Sequence, residues 1–256
     1  MTEKIRPLRD IRRDSFDEGG RNYSLPEPED HLPVLLIYYR CYVTYVFTGF
    51  LSDVNETTVI RSVKRIERIA AKVIHIKKNR QISLEEAGFL INDVTEQTVQ
   101  CPEKKQKKYC SGKKKRHTHK VGITVCEKEK IRSVSGTHPG KVHDFSICKS
   151  GKKQTQISGC SGKGGQRLPG NTQNQKNAEI PYKKPKGGHL TGEQKAFNRS
   201  LSKKRIKVEN VIREIKILKI ISDIYRNRHR GHNIKMNIAA GIVNMKTEKR
   251  LLRNAA

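Results

Sequence analysis

The sequence predicts a mixed α/β fold, with helices at the front, a small sheet in the middle and helices again at the end. Three observations carry that prediction. Apolar residues recur at helical spacing between His31 and Lys72, alternate as in a strand from His119 to Glu127, and return as a helical stripe from Val208 to Tyr225. Strands interleaved with helices place the chain in the α/β class.

Residues 1–30 mix charges with Gly19-Gly20, Pro26 and Pro28 and show neither period, so they read as a flexible arm. Residues 31–75 read as a helical module. Leu32, Leu35, Leu36 and Tyr39 mark a first apolar face, and Val43, Phe47, Phe50 and Leu51 a second. Ser52-Asp53-Val54-Asn55 forms a turn, and the Asn55 side chain can cap a third helix. That helix carries Val59, Val63, Ile66, Ile69 and Ala70 on one side and Arg61, Lys64, Arg65 and Arg68 on the other. Two short helices around a tight turn, the second basic, have the layout of a helix-turn-helix. In that module the second helix enters the major groove and its cations hold phosphates. A solvated helix face would show the same cations, but the charge of the whole chain favours duplex DNA as partner.

The core is expected over residues 88–246. Gly88 to Asp93 is a short apolar run ending in Asn92 and the acid Asp93, which suits a buried strand. Residues 101–120 hold nine Lys and Arg against one Glu, a poor core segment and a good phosphate-facing hairpin. Its basic tip, Lys113, Lys114, Lys115 and Arg116, could equally be a solvated turn. Val121, Ile123 and Val125 share one face of the next strand, Ile131 to Ser135 is its neighbour, and Thr137-His138-Pro139-Gly140 is a turn. Asp144 suits the first turn of a short helix. Residues 150–178 contain no acid, and Gln156 to Cys160 could form a weak strand there. From Thr191 a helix carries Val208, Val211, Ile212, Ile215, Leu218, Ile221, Ile224 and Tyr225 as a stripe, with Glu209 beside it. Ile234 to Met245 reads as a closing helix.

The chain has 54 Lys and Arg against 25 Asp and Glu, a formal charge of +29. That excess does not suit an enzyme of small neutral substrates; it suits a polyanion, whose condensed counterions are released on binding. No apolar run reaches membrane-spanning length, so a cytoplasmic, nucleoid-associated protein is expected, with self-association left open. The six cysteines form no CxxC pair. His117 and His119 with Cys110 or Cys126 match no standard zinc spacing.

Phosphodiester cleavage and strand transfer need an activated water or 3′-hydroxyl and a stabilised leaving oxygen, which divalent ions held by clustered carboxylates can supply. Mg²⁺ or Mn²⁺ takes hard oxygen ligands and keeps several waters, so a few acids from separate elements suffice. Asp93 and Glu209 are the candidates. Local motifs then carry a resemblance. Asp93-Val94-Thr95-Glu96 matches an Asp-x-Thr-Glu motif, followed by the basic segment Tyr109 to His117. Pro139-Gly140-Lys141-Val142-His143-Asp144 matches a Pro-Gly-x-x-His-Asp element. Asn198-Arg199, Leu201-Ser202, Arg205, Val208-Glu209 and Tyr225-Arg226-Asn227-Arg228 match a closing signature.

In these features the chain resembles insertion-sequence transposases of the DDE superfamily, in the Harbinger-like branch, from about residue 30 to 246. The resemblance implies an RNase H-like core behind a helix-turn-helix, with Asp93 and Glu209 as catalytic metal ligands. It also places Cys160 where the family has its second Asp, and Lys163 where it has a Tyr. A thiolate is a soft ligand that Mg²⁺ does not favour, so cleavage is expected to be impaired. The alternative is a non-catalytic DNA-binding derivative. A basic RNA-associated protein would fit the charge but not the motif order.

Overall fold

A computed structural model describes residues 25, 28–74, 76, 89–147, 162–164, 181–184 and 187–255. Most of the arm read over 1–30, and the weak strand read at Gln156 to Cys160, lie outside these residues. The class is mixed α/β, as the sequence predicts.

Helix α1, Pro28–Cys41, opens on Glu29 and Asp30, whose charges suit the free N–H groups of a first turn. Helix α2, Tyr45–Leu51, is capped by the Thr44 side chain. Helix α3, Glu56–Val73, starts where the sequence places it: Asn55 Oδ1 accepts from the Thr57 N–H at 3.1 Å. Between α2 and α3 the chain turns sharply at Asp53, whose φ is 50°. A Cβ on Gly49 would meet the Val54 carbonyl oxygen at 2.5 Å, so only glycine permits this approach. That geometry corrects the apolar face read for α2. Thr48 and Gly49 are its buried residues, while Phe47, Phe50 and Leu51 point outward. In α1 the buried face is Val34, Leu35, Tyr38 and Tyr39, and Leu36 is exposed. The apolar side of α3 is buried as read.

Strand β1, Leu90–Thr98, runs antiparallel to β2, Thr118–Cys126. On its far side β2 pairs with β3, Ile131–Val134, and with the two-residue β4, His138–Pro139, where the sequence suggested a turn. On its other side β1 runs parallel to β5, Gly162–Gly164. The sheet order is therefore β3-β2-β1-β5. Because β1 continues to Thr98, Asp93 lies in mid-strand rather than at the end read from the sequence. The polar residues that follow it hid the strand's second half.

The basic segment forms one helical turn, α4 (Gln106–Tyr109), and a tight loop closed by the Ser111 N–H on the Arg116 carbonyl at 2.8 Å. Helix α5, Gly192–Lys216, begins with a reciprocal cap between Thr191 and Gln194. It stops at Lys216, short of the stripe read to Tyr225. The rest forms α6, Lys219–Ser222, and an extended segment in which Tyr225 bridges Val99. Helix α7, His232–Ala255, closes the fold and extends past both ends of the closing helix read from the sequence. One apolar cluster joins Leu35, Tyr39, Val63 and Ile66 to Ile91, Ile123, Val208, Ile215, Met236 and Val243. The front helices and the sheet thus share a core.

Beneath the Tyr225 segment lies a buried imidazole cluster. His119 Nε2 is 2.9 Å from His229 Nδ1, and His232 bonds Thr137 Oγ1 at 2.9 Å and Gln97 Oε1 at 2.8 Å. Burial, then the neighbouring His229, pushes His119 down to about 4; burial, then His119, pushes His232 down to about 3. Both are below their ordinary 6.5, so the unfolded chain takes up these protons first. Their contribution to stability is complete above pH 6.5 and is lost as the pH falls through about 4 for His119 and about 3 for His232. Thermal melts should show stability dropping below that upper value by roughly 1 kcal/mol per pH unit for each proton. His119→Phe should flatten the profile, and an equally steep variant would contradict the assignment.

Candidate acid site and its cationic surround

Alternation along β1 puts Ile91, Asp93, Thr95 and Gln97 on one face of the sheet. Gln97 identifies that face as the one under the C-terminal helices, because its Nε2 donates to the carbonyls of Ile220 at 2.9 Å and Asp223 at 2.7 Å. Asp93 is half-buried there and accepts from the Val94 N–H at 2.9 Å. Burial holds its carboxyl above the ordinary carboxylate range. The Val94 N–H and the Arg205 guanidinium oppose the shift, and the charges of Glu209 and Asp144 reinforce it. The Glu209 charge, carried on α5, thus bears on the mid-strand carboxylate, with Arg205 one helical turn before Glu209. Glu209 itself is exposed to solvent.

Asp144 stands differently. Lys120 Nζ donates to its Oδ1 at 2.8 Å and to the Val142 carbonyl at 3.0 Å. Lys120 lies opposite Glu96, on the sheet face turned away from Asp93. Asp144 is thus compensated by a lysine on the other face. Among the described residues no group of three or more His, Cys, Asp or Glu could hold a metal ion. Cys160 lies outside the described residues. Lys163 falls within β5, at the register position beside Ile91.

Two lysines complete the surround. Lys216, at the end of α5, is half-buried. Burial and the charge of Lys114 push its ammonium below the ordinary lysine value, while Asp93 and Glu96 pull it back. Lys114 Nζ also donates to the Glu96 carbonyl at 3.3 Å. The basic loop therefore reaches the second half of β1 through Lys114, and Lys113, Lys114, Lys115 and Arg116 are all exposed. Sequence reading missed Arg205 and Lys216 as site residues. The signal was available in the helical period, since both sit at offsets from Glu209 that return to its own face. Of the cations read on α3, Arg61, Lys64 and Arg68 are exposed, whereas Arg65 is half-buried and its charge acts on His31.

Comparison with known proteins adds two findings. A family described as DDE superfamily endonuclease matches residues 92–244, a span that includes Asp93, Arg205, Glu209 and Lys216. A protein of Microchaete diplosiphon described as a probable transposase for insertion sequence element IS702 is 36% identical over 222 residues, covering 84% of this chain and 79% of its own length. No solved structure matches the chain at a significant level.

The charges acting on Asp93 set the sign of two substitutions. Glu209→Gln should lower the Asp93 pKa and Arg205→Ala should raise it, read by NMR titration of the side-chain carboxyl carbon. An Asp93 titration that ignores both substitutions would separate the strand acid from the helix.

Proposed function

We propose that this chain, which belongs to the DDE superfamily endonucleases, is a transposase-type DNA endonuclease and strand transferase. In this reading Asp93 and Glu209 hold a divalent cation. The observation that carries the proposal is a half-buried Asp93 on the strand face under the C-terminal helices, with Glu209 carried on α5, both within the span that the family matches. Antiparallel β1-β2-β3, β5 parallel to β1, and a helix bringing Glu209 to β1 are the layout expected of an RNase H-like core. Helices α2 and α3 are read as a helix-turn-helix, with Arg61, Lys64 and Arg68 on duplex phosphates. The partner is double-stranded DNA, which would place the protein on the nucleoid.

Two carboxylates suit Mg²⁺ or Mn²⁺, which keep most of their water shell. Bound there, such an ion would polarise a phosphoryl oxygen and acidify a water. The chain's own cations then have clear tasks. Arg205, Lys114 and Lys216 can hold the non-bridging oxygens of a phosphate drawn toward the acids, and Arg205 helps keep Asp93 ionised. The raised Asp93 pKa makes metal binding proton-linked, weaker as the pH falls.

The third acid is the weak point. Cys160 in its place supplies a ligand that Mg²⁺ does not favour. That substitution favours a second reading, a DNA-binding derivative that does not cut. Restoration separates the two. Cys160→Asp with Lys163→Tyr should raise Mg²⁺-dependent nicking of a terminal-repeat duplex by roughly a hundredfold or more, and Asp93→Ala in that background should abolish it. A restored variant that binds the duplex yet stays inert would favour the derivative.

A further inference from the structure

Tyr225-Arg226-Asn227-Arg228 lies where the sheet and the front helices meet. Tyr225 is buried and joined to the end of β1. Its N–H donates to the Thr98 carbonyl at 2.9 Å, and its carbonyl accepts from the Gln100 N–H at 3.1 Å. The next two residues turn to the helical module. The Arg226 N–H donates to the Tyr42 hydroxyl at 2.7 Å, and its guanidinium donates to the Tyr42 carbonyl and lies 4.4 Å from the centre of the Tyr42 ring. The Asn227 side chain sits among three tyrosine hydroxyls. It accepts from Tyr38 at 3.1 Å and Tyr45 at 3.4 Å, and donates to Tyr42 at 3.0 Å.

A second observation is independent of these bonds. Tyr42 has a φ of 50°, in the left-handed region that a bulky residue enters only at a cost. Such a conformation persists where its surroundings over-determine it. Here Arg226 holds both the carbonyl and the hydroxyl of the strained residue. The strain lies in the link between α1 and α2, and its restraint follows directly on Tyr225, which is hydrogen-bonded to the end of the strand that carries Asp93.

We propose that Arg226 and Asn227 are positioning residues that lock the helical module to the Asp93 strand, so that a duplex seated on α3 meets the acid pair in one register. The register half of this statement rests on the DNA reading above; the lock itself does not.

The test has two arms, in a full-length background with every cysteine except buried Cys126 replaced by serine. Without DNA, spin labels at Arg61→Cys and Lys128→Cys report the distance between α3 and the β2–β3 turn. The parent should give one narrow distribution, and Arg226→Ala with Asn227→Ala should broaden it roughly twofold. Tyr42→Phe, which keeps the ring and removes the hydroxyl, gives the same reading if the double variant does not fold. Unchanged widths overturn the lock. In the second arm, an iron chelate on Asp93→Cys cuts a duplex enriched from a random pool by binding to the parent. Arg226→Lys should spread the cuts over roughly twice as many nucleotides while affinity stays within about threefold. A drop in affinity with an unchanged cut window would make Arg226 a phosphate ligand and overturn the positioning role. If no duplex is enriched, the DNA reading fails, and the spin-label arm still decides the lock.

Discussion

The desolvation of one carboxylate organises the centre of this molecule. Asp93 stands in mid-strand on the helix-facing side of the sheet, where ionisation is disfavoured by burial and by the charge of Glu209. A core position of that kind would cost least if filled by an apolar residue, as Ile91 and Ile123 fill the neighbouring ones. The chain instead sets two cations of α5, Arg205 and Lys216, where their charges act on the acid. Holding a half-buried acid near a second carboxylate costs stability. A core built only for stability would not need it.

Much of the framework was legible because local rules and the fold agree. Asn55 caps α3, Thr191 caps α5, and the alternation of Val121, Ile123 and Val125 is the buried face of β2. What was not legible depended on contacts distant in sequence. The second half of β1 has polar side chains, so its strand character comes from pairing with β2 rather than from an apolar pattern. The outward turn of Phe47, Phe50 and Leu51 follows from a close approach at Gly49 that hydrophobicity cannot report. Tyr225 looked like the end of a helical stripe and is a strand-like bridge, because Lys216 ends the helix first. Of the site, the two acids could be named from local motifs and resemblance. Arg205 and Lys216 needed the helix period applied around Glu209, and the contact of Lys114 with β1 needed the fold of the basic loop.

The helices at the front are less separate from the core than a linear reading of domains suggests. Their apolar residues join the cluster that includes Ile91 and Met236, and Lys235 of α7 pairs with Glu67 of α3 at 2.8 Å with both side chains largely buried. A buried pair of this kind is costly to break from one side. Together with the tyrosines around Asn227, it makes the orientation of α3 a property of the core.

The central claim is that Asp93 and Glu209 share one space, and a double-mutant cycle on unfolding stability at neutral pH tests it most directly. Asp93→Asn and Glu209→Gln should each stabilise the fold by relieving the same repulsion, and together they should gain less than their sum by at least about 0.5 kcal/mol. Effects that add to within about 0.3 kcal/mol would mean that the two carboxylates do not meet.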